Sequence, residues 1–154
     1  MTVAEHAKRL IALERYKPSN VDADPELETK CSWYVADVAL AAGNPDLLHL
    51  NANAQITKMR RLKDAYKLVS LSEGQVAAGG GCLVILGWQN PRSESPGHVC
   101  IVVPGSMQLS KKWGKEAPLV ANAGWDVFYG RPASFAFGPE KVQALTCFLW
   151  LEKA

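Results

Sequence analysis

The sequence predicts a single α+β domain spanning residues 1–154, with a helical first half packed on an antiparallel β-sheet. Apolar residues recur at helical spacing as far as about residue 66. From residue 82 onwards, short β-rich runs are joined by short, turn-rich connections. Helices and strands are therefore segregated along the chain, as is typical of α+β proteins. The length suits one compact domain with a proper hydrophobic core.

The first half is expected to form three helices and a short helical turn. The clearest boundaries are those of the second helix, which begins at Cys31 after a polar stretch and ends at Gly43, just before an Asn-Pro pair. The predicted segments cover residues 3–15, 31–43 and 52–66, with the turn at 71–78.

The second half is expected to form five short strands. The first follows three consecutive glycines, and the second begins with His98 after a Pro-Gly pair. The predicted strands cover residues 82–88, 97–105, 118–123, 134–137 and 144–151.

The composition argues against several classes of function. A net charge of +2 is too small to indicate nucleic-acid binding by itself. No stretch is apolar and continuous enough for a membrane span, and no secretory signal is visible at the start. We therefore expect a soluble chain made in the cytoplasm, which needs a specialised export route if it acts elsewhere.

The four cysteines fall into two groups. Cys82, Cys100 and Cys147 lie in apolar, strand-like runs and are expected to be buried small hydrophobes, with a Cys82–Cys100 bridge left open. Cys31 instead lies at a predicted helix N-terminus, where the helix dipole favours a thiolate. Cysteines and histidines lack the spacing of a metal site, and no cofactor is predicted.

Three residues together suggest a cysteine hydrolase. Cys31 can supply a nucleophilic thiolate, and His98 can hold the ion pair and protonate a leaving amine. Asn122, on the strand after that of His98, can fix the tautomer of the imidazole. Asp126, four residues further on, is the rival for this third position.

Two motifs resemble a known family. The chain carries Cys-Ser-x-x-Val-x-Asp-Val from Cys31 and Gly-His-Val-x-Ile-Val-x-Pro-Gly from Gly97. These resemble the papain-like peptidoglycan peptidases of the NlpC and CHAP type. Within that group, the chain is most similar to type VI secretion amidase effectors and phage-type lysins, over roughly residues 29–138. The resemblance implies Cys31 as nucleophile, His98 as base and Asn122 as the third residue.

The resemblance also implies a substrate and a biological setting. It implies cleavage of amide bonds in peptidoglycan stem peptides or cross-links by an antibacterial toxin or lysin. Export to the periplasm of a target cell and an immunity protein as inhibitor are further expectations. The backbone of Cys31 or Ser32 is expected to stabilise the oxyanion. The family often has a tyrosine near the oxyanion, and Tyr16 is the candidate here.

Other features have two interpretations. Trp113 and Trp125 lie in loop-like contexts and are candidates for lining a groove. The basic segment 58–63 could bind an acidic peptide or phosphates, although a solvated helix face is the favoured interpretation. For the whole chain, the alternatives are a papain-like deamidase or transamidase acting on protein, and a non-catalytic binding module on the same fold.

Overall fold

A computed structural model describes residues 1–16 and 30–152. The α-helices are α1 (Val3–Ile11), α2 (Lys30–Ala41), α3 (Ala52–Arg61) and α4 (Leu71–Gly79). Short 3-10 turns cover Glu14–Tyr16, Ala133–Phe135 and Pro139–Ala144. The strands are β1 (Tyr66–Val69), β2 (Val84–Trp88), β3 (His98–Val102), β4 (Gln108–Ser110), β5 (Lys115–Ala117), β6 (Leu119–Asn122), β7 (Phe128–Pro132) and β8 (Leu145–Trp150).

The central element is a six-stranded sheet in the order β1-β8-β2-β3-β6-β7, in which every neighbouring pair is antiparallel. Side chains alternate between its two faces. One face packs against α1, α2 and α3 through residues such as Ile85 and Ile101. The other face, with Leu86 and Cys100, packs against α4 and the separate β4–β5 hairpin.

The ends of α2 and α3 are set by local sequence. At the end of α2, Gly43 has a φ of 95°, and the N–H of Asn44 donates to the carbonyl of Ala39 at 2.8 Å. This positive φ favours glycine and stops the helix where the sequence predicted. At the start of α3, the Asn51 side chain accepts from the N–H of Ala54 at 2.9 Å.

The mixed α+β architecture and the antiparallel sheet confirm the predicted class. The third predicted helix was too long, since α3 ends at Arg61 and Tyr66 begins β1. β1 pairs with β8, some eighty residues later in the chain, so this long-range pairing outweighs the helical pattern. The hydroxyl of Tyr66 accepts from Asn44, which further fixes this strand beside the end of α2.

The end of the sheet also differs from the prediction. Residues 134–137 are not a strand, because the chain forms a 3-10 turn at Ala133–Phe135. The strand there is β7, whose Gly130 and Pro132 weaken the local strand signal. β7 lies at the edge of the sheet, where a proline removes no needed hydrogen bond. Among the described residues, no helix is long and apolar enough to cross a membrane.

Candidate active site

Cys31 lies in the first turn of α2, where its side chain is 4% exposed. α2 packs on β3, and Cys31 in its first turn is hydrogen-bonded to His98, the first residue of that strand. Backbone N–H groups of the first turn point out of the N-terminal end of a helix, which carries a partial positive charge. Cys31 is therefore placed where an anion is stabilised.

His98 is the first residue of β3, and the glycine before it is required by packing. A Cβ added at Gly97 would lie 2.6 Å from the carbonyl oxygen of Trp88 and would also collide with the Asn53 side chain. Trp88 is the direct cross-strand partner of His98. Gly97 therefore lets the chain enter the sheet close to β2, and this close approach fixes the position of the His98 backbone.

The three predicted residues form a chain of hydrogen bonds. His98 Nε2 lies 2.6 Å from Asn122 Oδ1, and Cys31 is hydrogen-bonded to the same imidazole. Because Nε2 is engaged by Asn122, Nδ1 is the ring nitrogen left for the thiol. Asn122 is 2% exposed at the end of β6, and its Nδ2 donates to the Asp126 carbonyl at 2.8 Å. Asn122 thus contacts the imidazole, whereas Asp126 orients the Asn122 amide through its backbone.

The surroundings of His98 favour its protonated form. Burial opposes protonation, but the negative charge of Cys31 and the hydrogen bonds to Cys31 and Asn122 outweigh it. The pKa of His98 is consequently raised from its usual value. Lys141 acts in the opposite direction and lowers the pKa of His98. Its Nζ lies 4.3 Å from the centroid of the Trp88 ring, beside the imidazole's strand partner.

The buried Phe137 contacts the imidazole, and the buried Trp113 in turn contacts Phe137. The Phe137 ring meets the His98 ring edge to face, with centroids 5.1 Å apart. Trp113 Nε1 donates to the Phe137 carbonyl at 2.9 Å. Trp113 is therefore a core residue, and its prediction as a groove residue was wrong. Phe137 was not predicted as a residue of the site, because no local signal in the sequence indicates that it reaches His98.

Trp125 lies at the rim of the site and is 96% exposed. It follows Gly124, which has a φ of 133° and whose added Cβ would lie 3.5 Å from His98 Cε1. The loop between β6 and β7 thus passes directly over the edge of the imidazole. A fully exposed indole next to such a site is available to a ligand.

Ser32 and Tyr16 have structural contacts of their own. Ser32 is fully buried, and its carbonyl accepts from Gln55 Nε2 at 3.0 Å, which ties the first turn of α2 to α3. The buried Tyr16 hydroxyl donates to the Asp37 carboxylate. Asp37 is six residues after Cys31, or about 9 Å along the helix axis. This contact does not support the predicted position of Tyr16 near the oxyanion.

The other cysteines are free thiols in the structure, so no Cys82–Cys100 bridge forms. Cys100 and Cys147 are buried as predicted. Cys82 is exposed, and its prediction as a buried residue was wrong. It lies just after α4 and before β2, where its N–H still donates to the Ala77 carbonyl at 3.1 Å. Burial of this strand-like run therefore begins only at Leu83.

Comparisons with protein-family models and with curated proteins find no match. The interpretation of the site therefore depends on the contacts among its own residues. Within the described ranges, no group of three or more His, Cys, Asp or Glu side chains is arranged to hold a metal ion.

Proposed function

We propose that the chain is a papain-like cysteine hydrolase, with Cys31 as nucleophile, His98 as base and acid, and Asn122 as the residue that orients the imidazole. The observation that supports it most is the hydrogen-bonded chain from Cys31 through His98 to Asn122. These are the residue types, in the required order, for activating a thiol.

In the proposed reaction, the Cys31 thiolate attacks the carbonyl carbon of an amide while His98 carries the proton. N–H groups at the start of α2 stabilise the negative charge that develops on the carbonyl oxygen. The C–N bond breaks as His98 gives its proton to the leaving amine, and a thioester remains on Cys31. His98 then takes a proton from water, and hydroxide attacks the thioester carbon. The C–S bond breaks, which releases a carboxylic acid and restores the Cys31 thiolate beside the protonated His98.

The proposed substrate is an amide bond in a peptidoglycan stem peptide or cross-link, and the proposed setting is an antibacterial effector or lysin. The resemblance of the Cys31 and Gly97 motifs supports this choice. The exposed Trp125 and the nearby Lys141 add an aromatic surface and a cation beside the site, which suit a peptide with free carboxylates. A specialised export route, action in the target periplasm and an immunity protein belong to the same proposal.

The test is digestion of purified sacculi, followed by mass analysis of the released muropeptides. Wild-type protein should release fragments that carry a new amine and a new carboxylate, and Cys31→Ala should release none. Cys82→Ala is the matched control, because it removes an exposed thiol away from His98 and should leave the activity unchanged. Full activity of Cys31→Ala would refute the proposal.

A protein substrate included in the same assay covers the alternative enzymes. Release of ammonia from glutamine side chains, with intact sacculi, would assign a deamidase that uses the same acyl chemistry. No turnover of either substrate, together with an unreactive Cys31, would instead indicate a binding module.

A further inference from the structure

A polar cavity of about 770 Å³ lies close to the thiol site. It is formed by α3, the loop after β2, and the start of β8 with the 3-10 turn before it. Its walls carry amide, hydroxyl and guanidinium groups, and none of the described residues lining it is an aspartate or a glutamate. The chemistry of the walls therefore suits a polar ligand that is neutral or negatively charged.

The cavity is joined to His98 through the sheet. Leu145 in the cavity wall pairs with Trp88, and Trp88 pairs with His98. Since neighbouring strands are about 4.8 Å apart, this wall lies roughly 10 Å from the His98 backbone. Asn53, also in the wall, donates to the Ser95 carbonyl at 2.9 Å and so holds the loop that leads to His98.

Arg60 supplies the positive charge of the cavity. Its Nη2 donates to Thr146 Oγ1 at 2.8 Å, which fixes the orientation of the guanidinium with a neutral partner. In the described part of the chain, Arg60 forms no ion pair with a carboxylate. A guanidinium has five N–H donors, so most of them face the cavity and solvent.

The loop after β2, which also lines the cavity, is held in place as well. Gln89 Nε2 donates to Thr57 Oγ1 at 2.8 Å, which links the loop after β2 to α3. Both residues line the cavity. The polar groups are thus pre-positioned by contacts within the protein, which reduces the entropic cost of binding a ligand.

We propose that this cavity binds a carboxylate-bearing part of the substrate and that Arg60 recognises the carboxylate. The inference rests on the proposed hydrolase function, because it places the carboxylate in a cavity whose wall at Leu145 lies roughly 10 Å from the His98 backbone. An extended peptide spans that distance with about three residues. The planar guanidinium can bind a carboxylate through two parallel hydrogen bonds, and the amides nearby can pair with peptide groups.

The kinetic test uses two pairs of synthetic peptides. Within a pair, the peptides differ only in carrying a free carboxylate or its carboxamide. In one pair this group lies three residues before the cleaved amide, and in the other pair it lies three residues after it. In one of the two pairs, the carboxylate reaches the cavity. For that peptide, Arg60→Gln should lower kcat/KM roughly 10- to 100-fold, whereas kcat/KM for the matching carboxamide peptide should change little. Arg61→Gln is the matched control, as Arg61 is exposed on the same helix and does not line the cavity. Equal effects of Arg60→Gln on both members of each pair, or no effect, would overturn the inference.

A binding measurement separates this inference from the proposed function. The carboxylate peptide is titrated into Cys31→Ala, with and without Arg60→Gln, by calorimetry. A Kd that weakens roughly 10- to 100-fold with Arg60→Gln supports the inference, and an unchanged Kd refutes it. Arg60→Lys, which keeps the charge but not the planar guanidinium that forms two parallel hydrogen bonds, should give an intermediate Kd. Absence of turnover by wild-type protein would refute only the hydrolase, since the titration needs no catalysis.

Discussion

Cys31 and the two buried strand cysteines, Cys100 and Cys147, have the same side chain in opposite electrostatic settings. Cys31 lies at a helix start and is hydrogen-bonded to an imidazole with a raised pKa. Burial raises the pKa of Cys147 to about 12, and burial also raises the pKa of Cys100 well above its usual value. All three thiols are almost fully covered by protein.

Under the proposed function, burial alone makes a thiol unreactive, and a hydrogen-bonded imidazole partner offsets this effect. At Cys100 and Cys147, desolvation disfavours the thiolate and makes these residues packing groups. At Cys31, we propose that the hydrogen-bonded His98 and the helix N-terminus favour the thiolate. Substitutions at either kind of thiol should therefore have different consequences.

Removing the imidazole should have the largest effect. His98→Ala should lower kcat about 10²- to 10⁴-fold, because it removes both the base and the acid of the reaction. Initial rates on sacculi or a peptide substrate measure this change. Cys147→Ala, on the opposite face of the sheet, should leave kcat close to that of wild type. Comparable losses in the two variants would mean that the two thiol settings do not differ in function.

Removing the residue that orients the ring should have a smaller effect and should change the pH profile. In the proposed mechanism the active form carries a protonated His98, so activity should fall as the pH rises through the pKa of His98. Asn122→Ala removes a hydrogen bond that raises this pKa. We expect kcat/KM to fall roughly tenfold, and we expect the alkaline limb of its pH profile to move to lower pH. A limb that stays in place would show that Asn122 does not stabilise the imidazolium.

Tighter packing against Cys147 should lower the stability of the protein and leave its activity unchanged. A Cβ added at Gly74 in α4 would lie 2.5 Å from Cys147 Sγ. Gly74→Ala should therefore lower the free energy of unfolding by about 1–3 kcal/mol, as measured by urea denaturation. The double variant Gly74→Ala, Cys147→Ala should recover part of this loss. No recovery would mean that the sulfur is not the atom that resists the new methyl group.

The smallest effect is expected for Lys141→Met. Lys141 lowers the pKa of His98, so its removal should let that pKa rise. The alkaline limb of kcat/KM should move to slightly higher pH, in the direction opposite to Asn122→Ala. Lys141→Arg keeps the charge and should leave the limb where it is in wild type. A shift to lower pH in Lys141→Met would contradict the assignment.

Local signals in the sequence were sufficient to predict that Cys31 lies at a helix start and His98 at a strand start. Helix starts, glycine stops and a Gly-His pair before an apolar run depend on neighbours in the chain, so Cys31 and His98 could be placed. The strand β1 and the support of His98 by Phe137 could not be predicted. Both depend on contacts between residues far apart in sequence, which no local pattern records.

The rates at which Cys31 and Cys82 are alkylated can be compared within one molecule. Cys31 is almost fully buried and Cys82 is exposed, so accessibility alone favours alkylation of Cys82. We predict that iodoacetamide at pH 6, followed by peptide mass spectrometry, labels Cys31 faster than Cys82. We also expect His98→Ala to abolish the advantage of Cys31. Faster labelling of Cys82 in the wild type, with a Cys31 rate that does not change in His98→Ala, would contradict the proposal that Cys31 is an activated thiolate.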